Sequence, residues 1–357
     1  MTPPRLALAG ALAAVALLSA AGAGAAPAAT AATGTAPAPP MRVLAAGAGV
    51  GFGTAVDASA LGTDPVYRST IAREFSTVSP ENAMKWESVE PVRGTYTWTD
   101  ADELVAFAGR HGMRVRGHTL VWHNQLPGWL TTGTFSKAEL RQLLRAHITA
   151  EMRHFRGRIW QWDVVNEALD EDGTLRDTIW LRALGPDYLA DAFRWAHAAD
   201  PAALLFYNDY NIEAVGPKSD AVYALVKRLR AQGVPIDGVG FQAHETVSWA
   251  PPTLRQNLAR FDALGVRTAI TEADVRMPLP VTDTGLQAQA AGFDALLRAC
   301  LLTSRCRSFT VWGCTDRYSW VPGWFAGQGA ATPLDEQFRP KPAWTALAEE
   351  LALGAGR

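Results

Sequence analysis

The chain has 357 residues, 48% of them hydrophobic and 19% charged, enough to bury a large core. Its 33 basic and 35 acidic side chains leave a formal net charge of −2, and no basic stretch stands out. That balance argues against nucleic acid or an anionic membrane surface as a partner, and the length suits one α/β barrel.

Arg5 is the only charge before Arg42. The stretch LALAGALAAVALLSA (6–20) is apolar and is followed by small residues offering Ala-x-Ala cleavage choices. This is the pattern of a secretory signal peptide, placed at 1–26. It is shorter than the ~20 residues that a membrane span needs. Residues 27–46 are expected to be an Ala/Pro-rich leader and 47–352 the folded unit. Loss of Arg5 with the signal takes the net charge from −2 to −3. The glycines of GAGVGFG (47–53) fit no dinucleotide-binding spacing and precede a strand, so they read as a flexible lead-in.

From there β-rich apolar stretches alternate with longer helical patterns. The strand candidates are 51–56, 75–82, 114–122, 159–167, 204–210, 238–244, 267–275 and 308–316. Between them lie patterns such as DADELVAFAGRHG (100–112) and SKAELRQLLRAHITAEMRHFRG (136–157), the second opening on a Ser N-cap. Strand–helix alternation implies a parallel sheet, and eight repeats suggest a single closed (β/α)8 TIM barrel rather than a doubly wound open sheet. Of the three cysteines, Cys300 and Cys306 would close a short loop in an oxidising compartment, and Cys314 reads as a small buried thiol. There is no Cys-x-x-Cys and the histidines lie elsewhere, so no metal is expected.

The strands start apolar and finish in polar and aromatic residues: SPEN, GHTLVWHN, VVNE, YNDYN, FQAHE, ITEAD and VWGCTD. In a barrel those are the C-terminal strand ends, where active sites are built. Period-two alternation groups His118 with Trp122, Gln242 with His244, Asn208 with Tyr210, and Glu272 with Asp274. It also groups Asp163 with Glu167, and it points Asn166 away unless a bulge turns it back. Glu167 and Glu272 close β-runs on the fourth and seventh strands, whose ends face each other across a barrel mouth. Two carboxylates across a sugar-sized gap are what glycosidic cleavage requires. Several of the thirteen tryptophans, among them Trp86, Trp122, Trp312 and Trp320, fall in loops or at strand ends, where flat faces can stack on sugar rings. Metal- and serine-hydrolase signatures are missing: there is no His-Glu-x-x-His and no Gly-x-Ser-x-Gly.

Seven motifs in order carry a resemblance: SPENAMKWESVEPVRG, RGHTLVWHNQLPGWL, WDVVNEAL, YNDYNIE, GVGFQAH, ITEADV and VWGCTDRYSW. The chain resembles the family 10 glycoside hydrolases, chiefly secreted endo-β-1,4-xylanases of actinobacterial type, over roughly residues 50–350. The resemblance implies a (β/α)8 barrel, a retaining mechanism, xylan or xylo-oligosaccharide as substrate, no cofactor and a monomer. It implies Glu167 as acid/base and Glu272 as nucleophile, with His244, Asp274 and Asp163 in support. Asn166 would bond the sugar 2-hydroxyl. Glu81, Asn82, Lys85, His118, Trp122, Gln242, Trp312 and Trp320 would line the glycone side, and Asn208 and Tyr210 the aglycone side. Xylose lacks the hydroxymethyl group of glucose, and a site roofed by Trp312 and Trp320 leaves little room for it. Two departures from the family pattern stand out: Ala273 where the family has Leu, and an unusual middle to the loop after Trp320. The alternatives are another β-1,4-glycanase (a cellulase or an exo-acting enzyme) and a non-catalytic sugar-binding barrel. The second would be expected to lose one carboxylate, and both are present.

Overall fold

The structure, a computed structural model, describes residues 38–356. The expected signal peptide, 1–26, and most of the leader lie outside the described residues. The barrel strands are β1 (Gly51–Val56), β2 (Thr77–Pro80), β3 (Arg114–Val121), β4 (Gln161–Asn166), β5 (Leu204–Asp209), β6 (Gly238–Phe241), β8 (Arg267–Pro278) and β9 (Cys306–Val311). Each pairs in parallel with its neighbour, and β9 returns to β1 through Gly51–Ser308 and Thr54–Val311, which closes the barrel. Two short strands lie outside the barrel sheet. β7 (His244–Thr246) runs beside the outer half of β8, and β10 (Gln328–Gly329) pairs antiparallel with Met277 and Pro278.

The strands are covered on both faces, so they read as continuous apolar runs. β1 and β4 are buried throughout. Phe52 of β1 stacks between Phe75 and Phe309 at ring-centroid distances of 5.2 and 6.3 Å, with Trp344 edge-on at 6.5 Å. The intervening helices start where the side chains can satisfy orphan amides. Helix Lys137–His154 opens on a capping box, in which Ser136 Oγ accepts from Glu139 N and Glu139 Oε2 accepts from Ser136 N. The Glu139 carboxyl is held below its ordinary value by those Ser136 hydrogen bonds, its side chain first and its amide second.

The folded unit starts earlier than the Gly47 boundary expected. Residues Met41–Gly47 form a helix in which Met41 and Ala45 are buried. Met41 N donates to Glu74 Oε2 at 2.9 Å, and Arg42 grips the carbonyl of His111. A buried methionine and alanine four apart make an apolar stripe, so these residues belong to the barrel's outer layer and not to a leader. At the other end helix Pro342–Gly354 runs slightly past residue 352. Cys300 and Cys306 are disulfide-bonded, and Cys314 is a free buried thiol whose pKa burial pushes up to about 12.

Candidate active site

The two singled-out carboxylates sit at the C-terminal mouth of the barrel, 9% and 5% exposed for Glu167 and Glu272. Glu272 does not end its strand, as the sequence suggested. It lies midway along β8, which continues to Pro278 because β7 and β10 extend the pairing beyond the barrel.

Glu272 is held from three sides. Asn208 Nδ2 donates to its Oε1 at 2.7 Å, and His244 Nε2 lies 3.2 Å from its Oε2. His118 Nδ1 stands 3.9 Å from Oε1. Burial by itself would raise this carboxyl. The His244 hydrogen bond, the charges of His118 and His244 and the Asn208 amide overcome that effect and hold it at about 2. His244 is anchored in turn: its Nδ1 lies 2.8 Å from Asp274 Oδ2, which also accepts the indole N–H of Trp320 at 2.9 Å. Burial would lower the His244 pKa, but Asp274 and then Glu272 raise it to about 10. At neutral pH the ring is an imidazolium clamped between two carboxylates.

Glu167 has a different environment. Its carboxylate accepts from Trp122 Nε1 (2.7 Å), Gln242 Nε2 (3.0 Å) and Asn166 Nδ2 (3.2 Å), all neutral donors. Trp122 is fixed by Trp180, whose indole donates to its carbonyl at 2.9 Å.

Simple alternation would turn Asn166 away from Glu167, but the backbone brings both into one cleft. The β4–β5 register slips between Asp163 and Val165, and Glu167 adopts φ 56°. Asn166 Oδ1 thereby accepts from Asn208 Nδ2 at 2.9 Å and Gln242 Nε2 at 3.2 Å. A carboxamide relay thus joins the two carboxylates.

Asn208 departs from its expected place on the aglycone side. It is fully buried beneath the site and occupied on both ends: Nδ2 serves Glu272 and Asn166, while Oδ1 accepts from Thr271 Oγ1 at 2.8 Å. It holds the carboxylate and has no atom left for a ligand. Tyr210 does lie further out. Its hydroxyl accepts from Arg176 at 2.9 Å, and Lys218 Nζ stands 3.6 Å from its ring centroid.

Asp163, also fully buried, lies below His118, with His118 Nδ1 2.9 Å from its Oδ2. Its other partner, Arg116, was not anticipated: Arg116 Nε donates to Asp163 Oδ2 at 2.9 Å, and a terminal guanidinium nitrogen pairs with Oδ1. Parity held the clue, since Arg116 and His118 share a face and a buried cation needs a counter-ion. Thr271 and Arg176 were also missed. Thr271 is one β-branched residue in an apolar strand, and Arg176 comes from a loop with no periodic signal.

The remaining predicted residues line the rim. Lys85 Nζ donates to Asn82 Oδ1 at 3.1 Å and lies 4.9 Å from the Trp122 ring centroid. Burial draws its ammonium down, against the pull of Glu272, Glu81 and Glu167. Glu81 is pushed up to about 7, chiefly by burial and then by Asp57. Trp312 packs edge-on to His118 at 5.2 Å and Trp320 to His244 at 5.0 Å, so aromatic walls flank the imidazoles.

Residues 41–350 match the sequence model of glycosyl hydrolase family 10. The chain belongs to that family. Among curated family 10 relatives, it is 45% identical over 298 residues to an endo-1,4-beta-xylanase of Agaricus bisporus, covering 83% of this chain and 90% of that one. It is 46% identical over 287 residues to endo-1,4-beta-xylanase B of Thermotoga neapolitana, covering 79% and 82% of the two chains. The crystal structure of xylanase 10B from Thermotoga petrophila RKU-1, in complex with xylobiose, superposes with a TM-score of 0.87 at 42% identity. That alignment covers 90% of this chain and 100% of that one. The family 10 barrel is therefore shared over essentially the whole described unit.

Proposed function

We propose that this chain is an endo-1,4-β-xylanase that hydrolyses xylan with retention, Glu272 acting as nucleophile and Glu167 as acid/base. The observation that carries the assignment is the unequal surroundings of the two carboxylates. Glu272 is held ionised near about 2 by a cationic His244, as an attacking carboxylate must be. Glu167 has no cationic hydrogen-bond partner: its donors are the neutral side chains of Trp122, Asn166 and Gln242.

Glu272 attacks the anomeric carbon while Glu167 protonates the departing glycosidic oxygen. The glycosyl ester on Glu272 carries no charge. Glu167, now a carboxylate, takes a proton from water as that water attacks the anomeric carbon and frees Glu272. Asn166, bonded to Glu167 and linked to Glu272 through Asn208, bonds the 2-hydroxyl, and Trp312 and Trp320 exclude a sugar bearing a hydroxymethyl group. Substrate choice is supported by relatives named as endo-1,4-beta-xylanases and by the xylobiose bound in the Thermotoga petrophila structure.

The apolar stretch 6–20 with its small-residue cleavage region supports secretion, no membrane attachment after processing, and a working enzyme that starts beyond the leader. The actinobacterial affinity rests on the motif resemblance, and the monomeric state on the family pattern. The test is incubation with branched xylan and, separately, carboxymethylcellulose, with product anomers followed by proton NMR. Xylo-oligosaccharides appearing first as the β-anomer support the reading. α-Anomers first, or release from the cellulose derivative alone, would overturn it.

A further inference from the structure

Glu167 is not a glycine, yet its φ of 56° lies in the left-handed region. A side chain there persists only when its surroundings over-determine the backbone. Two bonds fix the peptides around it: Glu167 N donates to Asn208 O at 2.9 Å, and Ala168 N to the Tyr207 hydroxyl at 3.2 Å. The third support is Arg176. Its Nε donates to the Glu167 carbonyl at 2.9 Å. One terminal nitrogen donates to Leu169 O and to the Tyr210 hydroxyl, each at 2.9 Å, and the other pairs with Asp170 Oδ1 at 3.1 Å. Its own amide donates to Ala168 O at 2.8 Å, closing the small hairpin 168–176 that carries the chain away from β4.

We propose that Arg176 is a positioning residue for the acid/base carboxyl: it locks the Glu167 peptide in the left-handed conformation and so aims the side chain at the glycosidic oxygen. This rests on the roles given to Glu167 and Glu272 above. The hydrogen bond from Arg176 to Glu167 goes to the carbonyl, so Arg176 does not touch the reacting atoms, and its charge acts on the carboxylate only from a distance. A general acid must reach hydrogen-bond distance of the atom it protonates, and a small swing of the carboxyl loses that geometry. Glu272 is held by a separate set of bonds, from Asn208 and His244, which Arg176 does not touch.

The test compares two substrates whose first chemical step needs the acid to different degrees. Xylan has a poor leaving group and requires protonation. A 2,4-dinitrophenyl β-xylobioside has a leaving group that departs as the anion. kcat/KM reports that first step alone. In Arg176→Ala, kcat/KM on xylan is expected to fall by about tenfold or more, while kcat/KM on the dinitrophenyl substrate stays within about twofold of the parent. Arg176→Lys keeps one donor and should fall between parent and Ala, and it carries the comparison if the Ala variant does not fold. Equal losses on both substrates, or no loss on either, would overturn the inference. A parent protein that turns over neither substrate would instead overturn the functional reading itself.

Discussion

The imidazole of His244 stands 3.2 Å from the Glu272 carboxylate and is held there by Asp274, 2.8 Å away on the other ring nitrogen. The first prediction follows from this pair. Burial acts to raise Glu272, and His244 is the largest influence against it. In the parent, kcat/KM should hold as pH falls below 4.5, because the nucleophile ionises at about 2. In His244→Gln the largest influence against burial is lost, so the acid limb should move to higher pH, with kcat at its optimum reduced about tenfold or more. An unmoved acid limb would contradict the electrostatic account.

The same pair sets a pH dependence of stability. His244 is raised from 6.5 to about 10, so its contribution is complete below 6.5 and is lost as pH rises toward 10. Glu272 is lowered from 4.5 to about 2, so its contribution is complete above 4.5 and is lost as pH falls toward 2. These are two views of one ion pair and count once. Denaturant unfolding of parent and His244→Gln should show a stability difference that is constant between pH 4.5 and 6.5 and shrinks above that. A difference that grows with pH would contradict the linkage.

The floor of the site is closely packed at Gly240. A Cβ on Gly240 of β6 would lie 2.2 Å from Asn208 Oδ1 and 2.8 Å from Thr271 Cγ2. Gly240→Ala should therefore cost about 1–3 kcal/mol in urea unfolding through overpacking. It should also lower kcat more than it raises KM, since Asn208 must shift and with it Glu272.

The Cys300–Cys306 bridge closes a loop with a sequence separation of 6. Loop entropy predicts that replacing both with Ser costs about 2 kcal/mol, with a matching loss in thermal midpoint, and leaves kcat/KM unchanged. A loss of activity in the still-folded variant would mean that the bridge reaches the site.

Much of this architecture was legible because parallel strands announce themselves as apolar runs with polar ends. The span 51–56 coincides with β1, and Arg114–Val121 and Leu204–Asp209 differ from expectation by one residue. The pairings of His118 with Asp163 and of His244 with Asp274 and Glu272 were implied by the family resemblance, since parity groups only residues of one strand. What alternation cannot carry is a break in alternation. The slipped register of β4 and the left-handed Glu167 put Asn166 in the cleft, and neither is encoded in a period of two. Asn208 was misplaced for a related reason. Its face was right, but its depth depends on the missing side chain of Gly240 on the neighbouring strand. Residues 41–46 of the helix Met41–Gly47 were read as leader because their small residues resemble the tract before them, and only tertiary burial sets them apart.

The central claim is that Glu272 attacks and Glu167 serves as acid and base. Azide rescue separates the two roles most directly. Glu272→Ala should lose nearly all hydrolysis of an activated xylobioside, and azide, entering the vacated space on the α face, should restore turnover with the α-glycosyl azide as product. Glu167→Ala should yield the β-glycosyl azide instead, since azide then attacks the ester on Glu272. A β-azide from Glu272→Ala, or parent-like activity without azide, would contradict the account.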